Sequence, residues 1–455
     1  MAVGHGTLAT VGLVGILALA VAVYIGLRHP LWLYWALAIV MGGLPFGYVP
    51  GVHVPLYLLF AAGVLLAALI HTTERRALSK LEVAVLLLIL AAAVSVVATG
   101  ISLIAILMYS RWAIATLVVI ALLRLSRENL ARFGRFFVCA ASANAVVGIA
   151  MATVDQEQRL LKPLKIFGYG IGAGLRENTA LYVYSDEGST IGRTIRLGGT
   201  WVLPNSAGFA LTTALAMCLI LFRGWVRTAL SAILLIALLL TLSRATIFSL
   251  VVGLLLVFIF HTMRARDRQI AMGVVGLVAA GALLTPMIRD RVLASFASDD
   301  KGRSDRVKAL QAFPDQLSGH WLFGLGWARP EFLSGEAAQS TNYVSNAPLL
   351  TVYRGGVITG LIFVAVLVIG CVMGYRALRS TWLPNAVFGG TFIGLAVVYM
   401  NLAQSVVDMP VMALQFSILL AFMFYVDQSR DVPTVESQAR EFLGPPLRPF
   451  EVSTR

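Results

Sequence analysis

Thirteen apolar segments, most of them roughly 20 residues long and nearly free of charge, are spread along the whole chain. They lie at about 7–27, 31–49, 54–71, 82–99, 101–123, 133–154, 200–222, 225–242, 245–262, 270–288, 347–374, 383–401 and 410–427. An apolar helix of about 20 residues spans the hydrocarbon core of a bilayer, so the pattern predicts an all-α, polytopic membrane helical bundle. We expect 12–13 transmembrane helices, the lower number applying if the first two segments form one broken element. The alternating pattern of an outer-membrane barrel is absent from the sequence.

The composition agrees with a membrane protein and excludes a soluble enzyme. Of the 455 residues 59% are hydrophobic and 13% are charged, and the mean hydropathy is +0.85. A soluble domain carries about 45–50% apolar and about 25% charged residues. The net charge of +13 does not indicate a nucleic-acid partner, because clusters of Lys and Arg recur in alternate short connections, as membrane topology requires.

These basic clusters predict the orientation of the bundle. They consist of Arg75, Arg76, Lys80, Arg124, Arg127, Arg132, Arg135, Arg223, Arg227, Arg264, Arg266, Arg268, Arg376 and Arg379. All fall on the cytoplasmic side of a bacterial inner membrane if the N-terminus is outside and the C-terminal tail inside. Two long connections then lie outside, toward the periplasm or exterior.

The same alternation divides the chain into six parts. We predict N-terminal transmembrane helices over 1–154, a first large external loop over 155–199, transmembrane helices over 200–288, a second large external loop over 289–346, C-terminal transmembrane helices over 347–427 and a flexible cytoplasmic tail over 428–455. The second loop is predicted to be partly helical, because Val307, Leu310 and Phe313 follow at near-helical spacing.

Two arginines stand out because they lie within apolar stretches. Arg244 occurs in Thr241-Leu-Ser-Arg-Ala-Thr246 between the eighth and ninth segments, and Arg111 occurs inside the fifth. A charge at membrane depth is costly, so such a residue faces a cavity or a partner, or else reaches from a helix end to the interface. At the lipid–water boundary it could hold a diphosphate whose hydrocarbon tail stays in the bilayer.

The sequence offers little for a metal or a nucleotide cofactor. Cys139, Cys218 and Cys371 are scattered through apolar segments, and no His-x-x-x-His, Asp-x-Asp or Walker-type motif occurs. We therefore expect neither a metal nor another cofactor.

Four motifs in order resemble those of the O-antigen ligase and Wzy-type polymerase superfamily. They are Gly199-Thr-Trp-Val-Leu-Pro-Asn-Ser-Ala-Gly208, Thr241-Leu-Ser-Arg-Ala245, Gly302-Arg-Ser-Asp-Arg-Val-Lys-Ala-Leu with Gly319-His-Trp-Leu-Phe-Gly-Leu-Gly326, and Ser345-Asn346 with Tyr353-Arg-Gly-Gly-Val-Ile-Thr-Gly360. Each is degenerate alone, but their order and spacing are fairly specific, and they cover roughly 195–370.

The resemblance implies a metal-independent membrane glycosyltransferase. Such an enzyme takes a glycan from a polyprenyl diphosphate carrier outside the cytoplasmic membrane and passes it to a hydroxyl of a glycan or glycolipid acceptor. The family's diphosphate-gripping arginines correspond to Arg244 and Arg303, which makes these two the first catalytic candidates. Arg196 and Arg306 are expected second contacts, with Arg111 a further diphosphate-binding candidate. A chain-length regulator is a possible partner.

The chain departs from the ligases at the acid/base position. Ser345 stands where ligases carry a histidine before Asn346, and a serine is a poor general base without a base of its own. His320 is the remaining histidine candidate for catalysis, although it matches a different family position with a packing or hydrogen-bonding role. The other candidates for acid/base chemistry or acceptor contact are Asp305, Asp315, Glu331, Glu336, Asp408 and Asn346.

The missing histidine and the two basic loops favour a polymerase of lipid-linked repeat units of a surface polysaccharide. The first alternative is a ligase that attaches finished glycan to lipid A-core or another terminal acceptor. A peptidoglycan polymerase is more remote, because its motifs do not match. A transporter or flippase of an anionic lipid is the alternative from another class, suggested by Arg111, Arg244 and the helices interrupted near Pro384 and Pro410.

Overall fold

The computed structural model describes residues 24, 26–52, 54–71, 77–155, 159–169, 182–183, 194–263, 301–329 and 344–429, with isolated positions between 265 and 276. At 182–183, 194–195 and 301–306 it describes the backbone alone. Nearly all of the predicted segments 7–27 and 270–288, and nearly all of the C-terminal tail, lie outside the described residues.

Twelve longer α-helices make up most of the described chain. They are α1 (Pro30–Gly43), α2 (Leu56–Ile70), α3 (Lys80–Ala98), α4 (Leu103–Leu123), α5 (Arg127–Thr153), α6 (Pro204–Leu221), α7 (Gly224–Leu240), α8 (Arg244–Phe260), α9 (Lys301–Gln316), α10 (Ala347–Leu378), α11 (Leu383–Gly394) and α12 (Pro410–Ser429). The other eleven predicted segments each correspond to one of these helices, and α9 confirms the helix expected in the second loop.

Seven helical spans in the described chain are long and apolar enough to cross a membrane. They are α3, α4, α5, α6, α10, α12 and the span Leu383–Leu402, which contains α11. Four further helices, α1, α2, α7 and α8, are apolar but shorter. The protein is therefore a polytopic helical membrane protein, as the hydrophobic pattern predicted.

Helix boundaries depend on capping side chains as well as on apolar runs. Ser79 and Glu82 form a capping box at the start of α3, and the Ser126 hydroxyl accepts a hydrogen bond from the Asn129 amide at the start of α5. Both helices therefore begin before the apolar residues that predicted them. By contrast, α1 ends at Gly43 rather than at 49, because the chain turns so that Tyr48 pairs with Pro55.

The core lies around α6 and α12, the most buried of the spanning helices. Helix α12 packs against α4, α10 and α11, while α8 packs against α11 and α1 against α5. Small residues allow this close packing: a Cβ on Gly253 of α8 would meet the backbone of Gly390 in α11.

The first long connection contains structure that the sequence did not indicate. Arg159–Phe167 forms a 3-10 helix, and Tyr182–Val183 (β1) pairs antiparallel with Thr194–Ile195 (β2), Tyr182 facing Ile195 in register. The Tyr169 hydroxyl accepts a hydrogen bond from the Phe46 amide at 3.1 Å, and burial raises the pKa of this phenol, so it stays neutral near pH 7. The connection is thus tied to the turn after α1.

The two ends of the bundle differ in the loops and charged residues that they carry. We call the end formed by the turns at 44–55, 99–102, 241–243 and 403–409 the loop end, because the long connections join it. The opposite end carries an ion pair between Arg124 and Glu82 at 3.0 Å.

Candidate active site

The Gly-Thr motif forms a rigid turn that delivers α6 to the loop end. Gly199–Trp201 is a 3-10 turn, and the Thr200 hydroxyl donates to the Gly43 carbonyl at 2.6 Å while its amide donates to Asn144 Oδ1 at 3.2 Å. Val202 then takes a positive φ of 60° before α6 starts at Pro204. The tight turn places Asn205 on the first turn of α6, exposed at the loop end.

The Ser-Arg motif forms the neighbouring turn between α7 and α8. Leu242 has a φ of 50°, and the Ser243 amide donates to the Thr241 hydroxyl at 3.2 Å, so the chain reverses within three residues. Arg244 is the first residue of α8 and is partly exposed. Its side chain therefore belongs to the mouth of the bundle, at a helix N-terminus where anions are favoured.

Arg196 joins these two turns. Its guanidinium donates to the Thr241 carbonyl at 3.0 Å and to Asn205 Oδ1 at 3.3 Å. The Ser243 hydroxyl donates to the same Asn205 oxygen at 3.0 Å. We call Arg196, Asn205, Ser243 and Arg244 the arginine cluster: it concentrates two permanent cations at one partly exposed place.

A helical segment after α11 extends this network. Leu395–Tyr399 is a π-helical turn, a feature often found at functional sites. The Tyr399 hydroxyl lies 2.8 Å from the Ser405 hydroxyl and donates to the Asn205 carbonyl at 3.4 Å. Two residues on, Asn401 Oδ1 accepts from Asn346 Nδ2 at 3.0 Å.

Asn346 caps a helix and links that helix to a neighbouring segment. Its Oδ1 accepts the Leu349 amide at 2.9 Å and so caps the N-terminus of α10. With its Nδ2 on Asn401, the side chain joins α10 to the segment after α11, so the network reaches from the arginine cluster to the start of α10.

A buried ion pair that sequence reasoning missed lies next to this network. Arg354 in α10 is 8% exposed, and its guanidinium contacts Asp408 Oδ1 at 2.5 Å and donates to the Val407 carbonyl at 3.2 Å. The guanidinium carbon also lies 5.9 Å from the centre of the Trp327 ring. In the sequence, the sign of a special role for Arg354 was that two glycines follow it at the start of a long apolar run. Asp408, one of the predicted candidate bases, is the ion-pair partner of this arginine.

The backbone of α10 breaks beside Arg354 and receives the Gly-rich loop of 319–326. Gly356 has a φ of 81°, the Leu325 amide donates to the Tyr353 carbonyl at 2.7 Å, and the Val357 amide donates to the Trp321 carbonyl at 2.8 Å. The Ser95 hydroxyl of α3 donates to the Phe323 carbonyl at 2.6 Å. These bonds lock the loop between α3 and α10.

Gly356→Ala is expected to destabilise this junction. The positive φ alone costs an L-residue roughly 1–3 kcal/mol, and the added Cβ would overlap the Leu322 carbonyl. Thermal unfolding in detergent should show a clear loss for Gly356→Ala and none for Gly63→Ala, a helical glycine in α2 whose Cβ would meet only the Leu33 side chain at ordinary distances. Equal stability of the two variants would contradict the account of the break.

The remaining predicted residues are distributed around the loop end and α4. His320 is exposed, with Nδ1 3.0 Å from the Ser318 carbonyl, and Asp315 is exposed on α9. Arg303, Asp305 and Arg306 belong to α9, where their side chains are outside the description.

Arg111 is set apart from the arginine cluster. It is exposed on α4, close enough to Tyr57 for an electrostatic interaction. Helix α4 packs against α2, α3 and α12, whereas the cluster stands on the first turns of α6 and α8. The structure therefore brings Arg196 and Arg244 together and leaves Arg111 elsewhere.

The described residues contain no group of three or more His, Cys, Asp or Glu side chains with metal-binding geometry. The arginine cluster brings together two guanidinium groups, an amide and a hydroxyl group. Such a set fits an anionic ligand, because guanidinium groups bind phosphate and carboxylate in a forked geometry.

The fold and this site define a polytopic membrane protein with a cluster of guanidinium, amide and hydroxyl groups at the mouth of its helices. Residues 229–364 match the family model described as O-antigen ligase. The match covers the Ser-Arg turn, α9, the Gly-rich loop and the start of α10, and it confirms the resemblance to the O-antigen ligase and Wzy superfamily. It supports a membrane enzyme of the ligase or polymerase type. A search of curated proteins gave no match.

Proposed function

We propose that the protein is a membrane glycosyltransferase that moves a glycan from a polyprenyl diphosphate carrier to an acceptor hydroxyl. The reaction that we favour is the polymerisation of lipid-linked repeat units of a surface polysaccharide. The observation that carries the proposal is the arginine cluster: Asn205 joins Arg196 to Ser243, the residue before Arg244, at a helix mouth, and Arg244 lies within the segment that matches the ligase family.

The chemistry needs positive charge where the leaving group departs. The bond between the anomeric carbon and the diphosphate oxygen breaks, the acceptor oxygen forms the new bond, and a base takes the hydroxyl proton. Charge-assisted hydrogen bonds from Arg196 and Arg244 would stabilise the diphosphate as its charge develops. Arg303 and Arg306 are proposed to add contacts from α9, so the reaction would proceed without a metal.

A small set of residues could supply the base that takes the proton of the acceptor hydroxyl. The Asp408 carboxylate is already engaged in an ion pair with the Arg354 guanidinium. Asp315, Asp305 and His320 stay as proposals, and mutating each is the direct way to choose among them.

The orientation follows from charge. Lys80, Arg124, Arg127, Arg223 and Arg376 all lie at the opposite end, so we propose that this end faces the cytoplasm of a bacterium. The loop end would then face the periplasm or exterior of the inner membrane, where lipid-linked glycans are presented.

One specific observation favours a ligase: the family model that matches residues 229–364 is described as O-antigen ligase. Against it, Ser345 occupies the position of the ligase histidine, and the adjacent Asn346 is engaged as a helix cap. We therefore place polymerisation first and ligation second.

The test uses purified full-length protein in nanodiscs with polyprenyl-diphosphate-linked repeat units and EDTA. A ladder of products from these units alone is expected and would support a metal-independent polymerase. Transfer that occurs only when a terminal acceptor is added would make the protein a ligase. Unchanged donor in both reactions, with folded protein, would contradict the glycosyltransferase proposal and favour a transporter.

A further inference from the structure

A cavity at the loop end lies apart from the arginine cluster. Its volume is about 460 Å³, and its lining includes Thr99 at the end of α3, His320, Trp321 and Arg329. The volume falls in the range of about 300–1,000 Å³ that holds a small ligand or a lipid head group. The cavity therefore has the size of a binding site.

The cavity combines polar basic side chains with an apolar rim. His320 and Arg329 line it, and Trp321, Leu322 and Phe323 on its wall are 43%, 62% and 41% exposed. The neighbouring turn exposes Ile101 and, at the first residues of the membrane-crossing α4, Leu103 and Ile104.

The placement of that rim indicates which kind of molecule could enter. Exposed apolar residues at the end of a membrane-crossing helix lie at the level of the lipid head groups, where tryptophan is also enriched. An amphiphile with an anionic head would place the head on Arg329 and His320 and keep its tail beside Leu103 and Leu322.

The cavity is preformed. Its wall is the Gly-rich loop, which is held to α10 by the bonds of Leu325 and Val357 and to α3 by Ser95. A site fixed in this way spends little ordering free energy on binding.

The cavity and the arginine cluster are built on different helices. The cavity is bordered by α3 and the Gly-rich loop, whereas the cluster stands on the first turns of α6 and α8. Two separate cationic places at one end suit a reaction with two lipid-borne substrates.

We propose that this cavity holds the phosphate or diphosphate head group of the second lipid-linked substrate, the acceptor, while the arginine cluster holds the donor. This assignment rests on the proposed function. It names Arg329 as the main anion contact, with the His320 imidazole beside it, and it explains why aromatic and aliphatic side chains are exposed around these two side chains.

The kinetic test compares lipid-linked and lipid-free acceptors. Arg329→Gln should raise KM for a lipid-linked acceptor about tenfold or more and leave KM for the same glycan without its lipid phosphate unchanged, because a charge-assisted bond is lost only with the former. Lys308→Ala, an exposed cation on α9 outside the cavity, is the matched control and should change neither. An unchanged KM for both acceptors, or an equal rise for both, would overturn the proposal.

A binding measurement keeps the two proposals distinguishable, because it needs no turnover. In an Arg244→Ala background, which weakens the donor site, native mass spectrometry would titrate polyprenyl monophosphate and phosphatidylglycerol. The further change Arg329→Gln should weaken polyprenyl phosphate binding about tenfold and leave phosphatidylglycerol binding unchanged. Equal loss of both lipids would show a general phospholipid site and overturn the acceptor assignment, as would no loss of either. An inactive wild type with this binding pattern would contradict the glycosyltransferase proposal alone.

Discussion

Arg244→Ala should lower the rate of glycan transfer at least about 100-fold while the protein still inserts and folds. The reason is that the guanidinium at the first position of α8 would stabilise charge on the departing diphosphate, an interaction that strengthens in the transition state. Arg244→Lys should restore little, since an ammonium cannot reproduce the planar fork. The measurement is the initial rate of polyprenyl diphosphate release in nanodiscs.

The matched control for this prediction is Arg132→Ala. Arg132 is exposed on α5 at the opposite end and pairs with the exposed Glu128 one helical turn away, at 2.6 Å. Its removal should leave the rate near that of the wild type. Arg303→Ala provides the second test; near-normal turnover by both the Arg244 and Arg303 alanine variants would remove the diphosphate assignment.

Breaking the ion pair of Arg354 and Asp408 should cause the largest loss of stability. Removing one member of a buried pair costs about 3–5 kcal/mol, although the exposure of Asp408, 37%, lowers the expected value toward the smaller figure. Asp408→Ala leaves the buried guanidinium without its anion, whereas Arg354→Ala leaves a carboxylate that water can reach. We therefore expect the Asp408 variant to suffer at least as much as the Arg354 variant, despite its smaller side chain.

The measurement is the free energy of unfolding in mixed detergent micelles for both single variants and the double variant. The double variant should be clearly more stable than the sum of the single effects predicts, because neither charge is left alone. Replacing the exposed Arg132 and Glu128 in the same way should change stability by less than about 1 kcal/mol. Additive effects at Arg354 and Asp408 would show that the pair is not coupled.

Much of the fold could be predicted because apolar length and spacing act locally. Each apolar segment in the described residues became a helix, and α9 appeared where Val307, Leu310 and Phe313 indicated it. The errors in the predicted helix boundaries come from capping side chains and turns, which a count of apolar residues does not include. The caps at Ser79 and Ser126 lengthen α3 and α5, and the turn around Tyr48 shortens α1.

The site was only partly predictable, because its contacts join residues that are far apart in the chain. Motif order brought Arg196 and Arg244 into consideration, and the structure shows them sharing the turn at Thr241 to Arg244. Arg354 was visible only as an arginine followed by two glycines in the fourth motif, and this pattern does not indicate an ion pair. Its partner Asp408 is 54 residues away, and only the packing of α10 against the segment after α11 brings the two together.

The central claim is that the arginine cluster binds the diphosphate of the donor lipid. A cryo-EM map of the wild type saturated with polyprenyl diphosphate tests it most directly. We predict diphosphate density between Arg196 and Arg244, with guanidinium nitrogens about 3 Å from its oxygens and the hydrocarbon tail running toward the bilayer. Density for the head group at another place, with the arginine cluster empty, would contradict the claim.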